Sequence, residues 1–510
     1  MMEENLLSTV RDYIEINAKE KAKANFISCP HTNQNISNDK LKHNLDKINY
    51  YLVNKKKLKK KSIICTLTEN SLSSIQLMLG IMYSGMVQVP LNLVAGEDQL
   101  AYIIEHSESK IIFSTKNNIE LVEKIIKKVS TKIELVEIDK NNFLEEINND
   151  FHVLNSEINK EDNALLMYTS GTTGKPKGVM LSHENLLHGG KNVMISHELT
   201  STDKALCVLP LYHINGLIVT VMGPLVSQSS LILCEKFSAS NFWKYISQFK
   251  CTWFSVVPTI ISALINKYSK EEFDSLDTSS IRFGRSASAA LAPETHRNFE
   301  EKFNIQMIET MGLTESCAPI LANPLPPKKI KYGSPGIPYG NDVTILDNDF
   351  NEAKRNNIGQ ICVKGKNVMK EYYKNPIETK KSFYKGWFLT GDLGLMDDED
   401  FVFVRGRIKE LIIKGGENIS PREIDDVLYQ HPKILEAAAF SVECSHYGEK
   451  IEAGVVLKDK EIVSEEELLK HCIGSLGKYK SPDKIHFFKE LPKGSSGKIQ
   501  RLKIKDIIKN

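Results

Sequence analysis

Several features that would assign the chain to other classes of protein are absent from its 510 residues. The start, Met1-Met2-Glu3-Glu4-Asn5, carries acids where a signal peptide carries bases, and no apolar block follows it. Gly, Pro, Ser and Gln interrupt the two most apolar runs, residues 74–93 and 214–234, which predicts buried helices and strands rather than membrane spans. A formal net charge of +2 argues against a general nucleic-acid-binding surface.

The sequence also has no Cys-x-x-Cys pair, although it contains nine cysteines. They are Cys29, Cys65, Cys207, Cys234, Cys251, Cys317, Cys362, Cys444 and Cys472. Thiols scattered in this way are typical of reduced, mostly structural cysteines, so we expect a cytoplasmic protein.

A phosphate-binding loop is the most informative feature that is present. It reads Thr169-Ser170-Gly171-Thr172-Thr173-Gly174-Lys175-Pro176-Lys177-Gly178. Its glycines let backbone N–H groups approach an anion, its hydroxyls can donate hydrogen bonds, and its lysines supply charge. Strand-like residues 164–168 and 179–181 border the loop, which a flexible linker would lack. Pro176 stands where a Walker A motif has Ser or Thr, so the loop is of another type.

This loop and five further motifs resemble those of the adenylate-forming (ANL) superfamily, which includes acyl-CoA synthetases and adenylation domains. The further motifs, in family order, are Pro210-Leu211-Tyr212-His213-Ile214-Asn215-Gly216, Met311-Gly312-Leu313-Thr314-Glu315, Thr390-Gly391-Asp392, Gly406-Arg407-Ile408-Lys409-Glu410 and Pro492-Lys493-Gly494-Ser495-Ser496-Gly497-Lys498-Ile499-Gln500-Arg501. The resemblance therefore covers most of the chain.

The alternation of helical and strand periods predicts an α/β fold of mostly parallel sheets flanked by helices. Examples are predicted helices at 71–86, 121–129, 259–268 and 293–303, and predicted strands at 87–90, 110–114, 252–257 and 280–285. The resemblance implies a large N-terminal AMP-binding domain over 1–405, a hinge at 406–409 and a small mobile α+β domain over 410–510. Within the small domain, Ser420 and Glu423 form a capping-box pattern that predicts a helix running towards His431.

The resemblance implies a role for each motif in adenylate formation. The loop from Thr169 to Gly178 would hold the β and γ phosphates of ATP. Glu315 would bind Mg²⁺, Thr314 would contact the AMP phosphate, and Glu309, Thr310, Met311 and Gly312, with Ala287, would border the nucleotide. Asp392 would accept the ribose hydroxyls, Arg407 would contact ribose or phosphate, and Lys498 would neutralise the reacting oxygens. Lys409 would be the hinge, and Gly415 and Gly416 would face the thiol acceptor.

The acid pocket is predicted from two segments. His213 and Asn215 lie in the acyl-pocket motif, with no aspartate where amino-acid-activating relatives have one. The stretch Gly284-Arg285-Ser286-Ala287-Ser288-Ala289-Ala290-Leu291-Ala292-Pro293 resembles oxalate–CoA ligases, and Arg285 and Ser288 would contact the acid. A buried arginine needs a partner, so Arg285 would pair with a second substrate carboxylate or with a protein acid.

Two residues depart from the family pattern. Asn215 stands where the oxalate branch commonly has a second histidine, and Met311 stands where an aromatic residue often stacks on adenine. Methionine can pack there, although less rigidly.

We therefore expect an ATP- and Mg²⁺-dependent ligase that joins a small polar or dicarboxylic acid to coenzyme A. The alternative is a freestanding adenylation enzyme that loads a separate carrier protein. The presence of Glu315, Asp392, Arg407 and Lys498 disfavours a non-catalytic nucleotide-binding module.

Overall fold

Four β-sheets make up the framework of the protein. The computed structural model describes residues 6–147, 156–169, 175–494 and 498–509. Three sheets belong to a large N-terminal domain and the fourth to a small C-terminal domain. The predicted α/β architecture, with mostly parallel sheets in the large domain, is confirmed.

The largest sheet has nine strands. Their spatial order is Ile337–Pro338, Ala318–Ala322, Met307–Leu313, Phe283–Ser286, Trp253–Val256, Lys204–Cys207, Ser230–Leu233, Asn25–Cys29 and Gln34–Ser37. The central strands run parallel, and the pairings at the two edges are antiparallel. Every residue of Trp253–Val256 is buried, as expected for a parallel strand covered on both faces.

The second sheet has seven strands. Their spatial order is Glu371–Tyr372, Lys177–Ser182, Asn163–Thr169, Val87–Pro90, Ile63–Leu67, Ile111–Thr115 and Glu134–Ile138. The last five run parallel, whereas Lys177–Ser182 pairs antiparallel with both of its neighbours. The phosphate-binding loop therefore connects two antiparallel strands near one edge of this sheet.

The third sheet is antiparallel and carries the predicted ribose segment. Its strands are Asp342–Leu346, Gly359–Lys364, Trp387–Met396, Phe383–Tyr384 and Val402–Arg407. The register places Asp392 directly opposite Arg407. Two residues that are 15 positions apart in the chain thereby become neighbours.

The small domain has its own sheet and core. The strands are Glu417–Ile419, Ile412–Lys414, Gly448–Leu457, Ile434–Cys444 and Lys484–Phe487, of which the last pairs in parallel with Gly448–Leu457. Ile424, Leu428 and Leu468 pack with this sheet in one apolar cluster.

Helices connect the strands throughout the chain. The α-helices are Val10–Glu20, Asn38–Tyr50, Leu72–Tyr83, Glu97–Ser107, Ile119–Ile126, His183–Ser196, Gly223–Ser227, Ala239–Phe249, Pro258–Lys267, Lys270–Asp274, Pro293–Phe303, Pro376–Lys381, Pro421–Gln430, Glu465–Lys480 and Arg501–Lys509. Short 3₁₀ or π segments are Tyr51–Lys55, Lys116–Asn118, Phe143–Glu146, Asn215–Met222, Thr314–Ser316 and Ile408–Glu410. Within the described ranges, none of the helices has both the length and the apolar character needed to cross a bilayer.

The predicted capping box at Ser420 is wrong, although the helix begins at Pro421 as expected. The Ser420 hydroxyl makes no cap hydrogen bond and donates instead to the carbonyl of Arg405. The Glu423 carboxylate accepts from Lys480 Nζ at 2.9 Å. The capping box would have paired Ser420 and Glu423 with each other's backbone N–H groups. Arg405 and Lys480, which are distant in sequence, satisfy the two side chains instead.

Candidate functional site

The phosphate-binding loop begins and ends on paired strands. Thr169 lies opposite Lys177 in the register, while Ser170, Gly171, Thr172, Thr173 and Gly174 lie outside the described residues. Ser182 caps the helix that follows, because its hydroxyl accepts from Asn185 N at 3.2 Å. Lys175 Nζ lies 5.6 Å from the centre of the Tyr102 ring.

Lys177 is held by two side chains from a distant part of the chain. Its ammonium forms a short ion pair with Glu378 and lies 4.8 Å above the centre of the Tyr372 ring. Sequence reasoning missed both partners, since nothing in the loop motif indicates residues 372 or 378. The structure therefore fixes the position of this lysine at the base of the loop.

Glu315, the predicted metal ligand, lies on a 3₁₀ turn directly after the strand Met307–Leu313. Its Oε1 accepts from Tyr372 Oη at 2.8 Å, and its carbonyl accepts from Met369 N at 2.7 Å. Thr314 and Met311 are half-buried on the same segment. Gly312 is required for close packing, because a Cβ there would lie 2.5 Å from the carbonyl oxygen of Ala318.

Glu309, Thr310 and Ala287 come together where two parallel strands end. Glu309 is 2% exposed, its Oε1 accepts from Leu291 N at 3.1 Å, and burial raises its pKa. Thr310 Oγ1 donates to the carbonyl of Ser286 at 3.4 Å, and Ala287 N donates to that of Val256 at 3.2 Å. The hydrogen bonds of these three predicted nucleotide residues thus go to the backbone of neighbouring strands and loops.

Asp392 and Arg407 form an ion pair across the third sheet. Arg407 Nε donates to Asp392 Oδ1 at 2.8 Å, and Asp392 is 6% exposed. The carboxylate raises the pKa of Arg407, so the guanidinium stays charged. One lone pair of the predicted ribose acceptor is thus already used by the arginine.

Lys498 lies within electrostatic reach of this pair. Burial and the positive charge of Arg407 lower the pKa of Lys498, while Glu410 and Asp392 oppose the shift. The described residues on either side pair antiparallel, since Gly494 N donates to the Lys498 carbonyl at 2.8 Å and Gln500 N to the Pro492 carbonyl at 2.7 Å. The structure therefore brings the C-terminal lysine of the small domain to the ribose segment of the large domain.

The two remaining predictions are the hinge lysine and the glycine turn. Lys409 is in the short segment Ile408–Glu410, directly after the strand that carries Arg407. Gly415 and Gly416, with φ of +59° and +86°, form the turn of a hairpin, and both conformations favour glycine. The contacts around Gly415 are with Tyr447 and Tyr479 of the small domain.

A cavity of about 440 Å³ opens beside the acyl-pocket motif. His213, Asn215 and Ser288 line it, together with Glu69, Glu235 and Lys236, which sequence reasoning missed. Asn215 Nδ2 donates to Ser288 Oγ at 3.1 Å. Ser288 has a φ of +71°, a strained conformation for a residue with a side chain. The hydrogen bond from Asn215 helps to hold the serine in this conformation, in the wall of the cavity.

Arg285 lies behind this wall rather than in it. It is 2% exposed, and its Nη1 donates to Asn215 Oδ1 at 2.6 Å and to Ser255 Oγ at 2.8 Å. Over the residues that the structure describes, no carboxylate pairs with Arg285, and its Nε has no hydrogen-bond partner. Burial lowers the pKa of Arg285 to about 9. The predicted pairing with a protein acid is therefore not observed.

The fold and these residues define a two-domain α/β enzyme whose candidate site lies where the domains meet. A family model described as "AMP-binding enzyme" matches residues 14–373, and one described as "AMP-binding enzyme C-terminal domain" matches residues 423–498. The chain belongs to the AMP-binding enzyme family.

Relatives of the chain include acid–CoA ligases. It is 43% identical to the sulfoacetate–CoA ligase of Cupriavidus necator, over 85% of each chain, and 32% identical to the oxalate–CoA ligase of Arabidopsis thaliana, over 92% of each. The crystal structure of ATP-bound MatB from Rhodopseudomonas palustris superposes with a TM-score of 0.89, at 28% identity and covering 98% of this chain and 99% of that one.

Proposed function

We propose that the protein is an ATP-dependent acid–CoA ligase for a small acid that carries a second anionic group. A carboxylate oxygen of the acid attacks the α-phosphorus of ATP, and pyrophosphate leaves. The thiolate sulfur of CoA then attacks the acyl carbon, and AMP leaves as the thioester forms. The observation that carries this proposal is the ion pair of Asp392 with Arg407, which has the Lys498 ammonium within electrostatic reach.

In adenylation the anionic carboxylate must approach the anionic α-phosphate of ATP. The protein therefore contributes mainly by neutralising charge and not by forming a covalent intermediate. Lys498 is suited to bridge the carboxylate and the α-phosphate, and Arg407 supplies a second fixed positive charge. Asp392 would accept a ribose hydroxyl with the oxygen that Arg407 leaves open. Thr169, Lys175 and Lys177 border the loop that would hold the departing phosphates.

A Mg²⁺ ion that arrives with ATP fits this site. Magnesium is usually held by one or two carboxylates together with phosphate oxygens and water. Glu315 is a half-buried carboxylate on the 3₁₀ turn after the strand Met307–Leu313, and in the described ranges no three acidic, His or Cys side chains form a closed metal cage. Glu315 would hold the ion, which when bound would neutralise phosphate charge.

The charges near Lys498 support an assignment of this arrangement to the adenylation pose of the small domain. For thioester formation, rotation at Lys409 would withdraw Lys498 and bring the Gly415–Gly416 turn to the acyl-adenylate. An exposed turn without Cβ atoms suits the close passage of a thiol arm. ATP and CoA are available in the cytoplasm, where we expect the enzyme to act.

The second anionic group of the acid is inferred from Arg285. A buried guanidinium without a carboxylate partner favours an anion in the adjoining cavity. Asn215 and Ser288 would contact this anion from the wall. The sulfoacetate and oxalate of the named relatives are both acids of this kind.

A screen of pyrophosphate release over small acids tests the proposal. Sulfoacetate, oxalate and malonate are compared with acetate and propionate, each with and without CoA. We expect CoA-dependent thioester formation with at least one dianion. Adenylate formation without transfer to CoA would indicate carrier-protein loading, and no pyrophosphate from any acid would contradict ligase activity.

A further inference from the structure

Tyr372 connects the predicted metal ligand with the phosphate-binding loop. It lies on the edge strand Glu371–Tyr372, which pairs antiparallel with Lys177–Ser182 and places Tyr372 opposite Val179. Its hydroxyl reaches away from this sheet and donates to Glu315 Oε1 at 2.8 Å. In the described ranges, no other side chain forms a hydrogen bond with this carboxylate.

The tyrosine itself is held both at its backbone and at its ring. It is 4% exposed, and its backbone N donates to Thr379 Oγ1 at 3.0 Å. The Lys177 ammonium lies 4.8 Å above the ring centre, an attractive cation–π geometry. Glu378 holds that lysine in an ion pair, so the ring has little freedom to turn.

We propose that Tyr372 is a positioning residue for Glu315. By bonding Oε1, it holds the carboxylate in one orientation and leaves Oε2 for a metal ion. Groups that hold a metal ligand in this way typically change metal affinity about 10- to 100-fold when they are removed. The inference rests on the proposed function, because it assigns nucleotide-bound Mg²⁺ to Glu315.

The test is the Mg²⁺ dependence of ATP binding by Tyr372→Phe, measured by calorimetry without any acid. Phenylalanine keeps the ring beneath Lys177 and removes the hydrogen bond to Glu315. We expect the Mg²⁺ concentration that gives half-maximal ATP binding to rise about tenfold. ATP binding without Mg²⁺ should stay unchanged. The same Mg²⁺ dependence in variant and wild type would overturn the inference.

Tyr373→Phe is the matched control. Tyr373 is the next residue, and its ring packs against His106 with centroids 5.6 Å apart, rather than against Glu315. We expect this variant to keep the Mg²⁺ dependence of the wild type. An equal change in both variants would assign the effect to general loosening of the edge strand and would contradict the proposal.

A double variant separates positioning from folding. If Tyr372 acts through Glu315, Tyr372→Phe should add nothing to Glu315→Gln, whereas independent effects would add. Additive effects on Mg²⁺-dependent ATP binding would overturn the inference. The proposed function is tested separately, because a wild type that binds Mg²⁺ and ATP but activates no acid refutes the ligase and leaves the role of Tyr372 intact.

Discussion

Replacing Arg285 with methionine tests how the protein selects its acid. The guanidinium is 2% exposed and donates to Asn215 and Ser255, whereas Asn215 itself lines the cavity. Methionine has a similar length, so the substitution removes the charge without opening a large void. Asn215 Oδ1 would keep the hydrogen bond from Ser255 Oγ, which is 3.2 Å long.

The expected loss follows from the distance between the charges. An anion that binds to the amide of Asn215 would lie about 7 Å from the guanidinium, which at an effective dielectric constant of about 20 corresponds to about 2–3 kcal/mol. The expected decrease in kcat/KM for a dianionic acid is therefore roughly 30- to 150-fold. Direct contact with the guanidinium would raise the loss to about 2–5 kcal/mol.

The assay compares kcat/KM for malonate or sulfoacetate with that for propionate, which lacks the second anion. Propionate should lose little, because it leaves Arg285 without a partner even in the wild type. The melting temperature is measured in parallel, and we expect no decrease, because the substitution removes a buried charge that has no carboxylate partner. Equal losses for both kinds of acid would refute the reasoning and make Arg285 a structural residue.

Three further predictions concern the small domain. Lys498→Ala should abolish pyrophosphate release but largely spare thioester formation from supplied acyl-adenylate, and equal loss in both assays would contradict its assignment to one pose. Lys409→Pro should restrict the backbone at the hinge, so that pyrophosphate release continues while transfer to CoA slows. A transfer rate equal to that of the wild type would place the hinge elsewhere. Since burial and Arg407 lower the pKa of Lys498, adenylation should decline at a pH below that expected for an ordinary lysine. Lys498→Arg should shift this alkaline decline upward in a pH profile of kcat/KM, because arginine keeps its charge.

Local patterns predicted much of the fold. Helix Pro293–Phe303 and strand Val87–Pro90 have the expected bounds, because burial periodicity and proline mark them within the segment itself. The predicted helix 71–86 is shorter in the structure, at Leu72–Tyr83, with Ser71 as its cap. Ser420 shows the limit of local reasoning, since its hydroxyl bonds to Arg405 across the domain boundary.

The parts of the site that lie within one motif could be predicted from the sequence. The contacts that the fold makes between distant segments could not. The Asp392–Arg407 pair follows from strand register, and Tyr372 reaches Glu315 from a different sheet. Neither contact has a signal in sequence spacing. Arg285 was expected to face a carboxylate, but its guanidinium donates to Asn215 and Ser255, which the packing of two strands and a helical segment brings together.

The charges around Lys498 link the pose of the small domain to the chemical step. Arg501, three residues after Lys498, forms an ion pair of 2.7 Å with Asp425 of the small domain, while Arg407 pairs with Asp392 of the large domain. Lys498 therefore has the like charge of Arg407 within electrostatic reach, together with the carboxylates of Glu410 and Asp392. ATP and the acid would supply negative charge between the two cations and favour the docked pose. Departure of pyrophosphate removes much of that charge, so the repulsion would favour rotation at the point when CoA must enter.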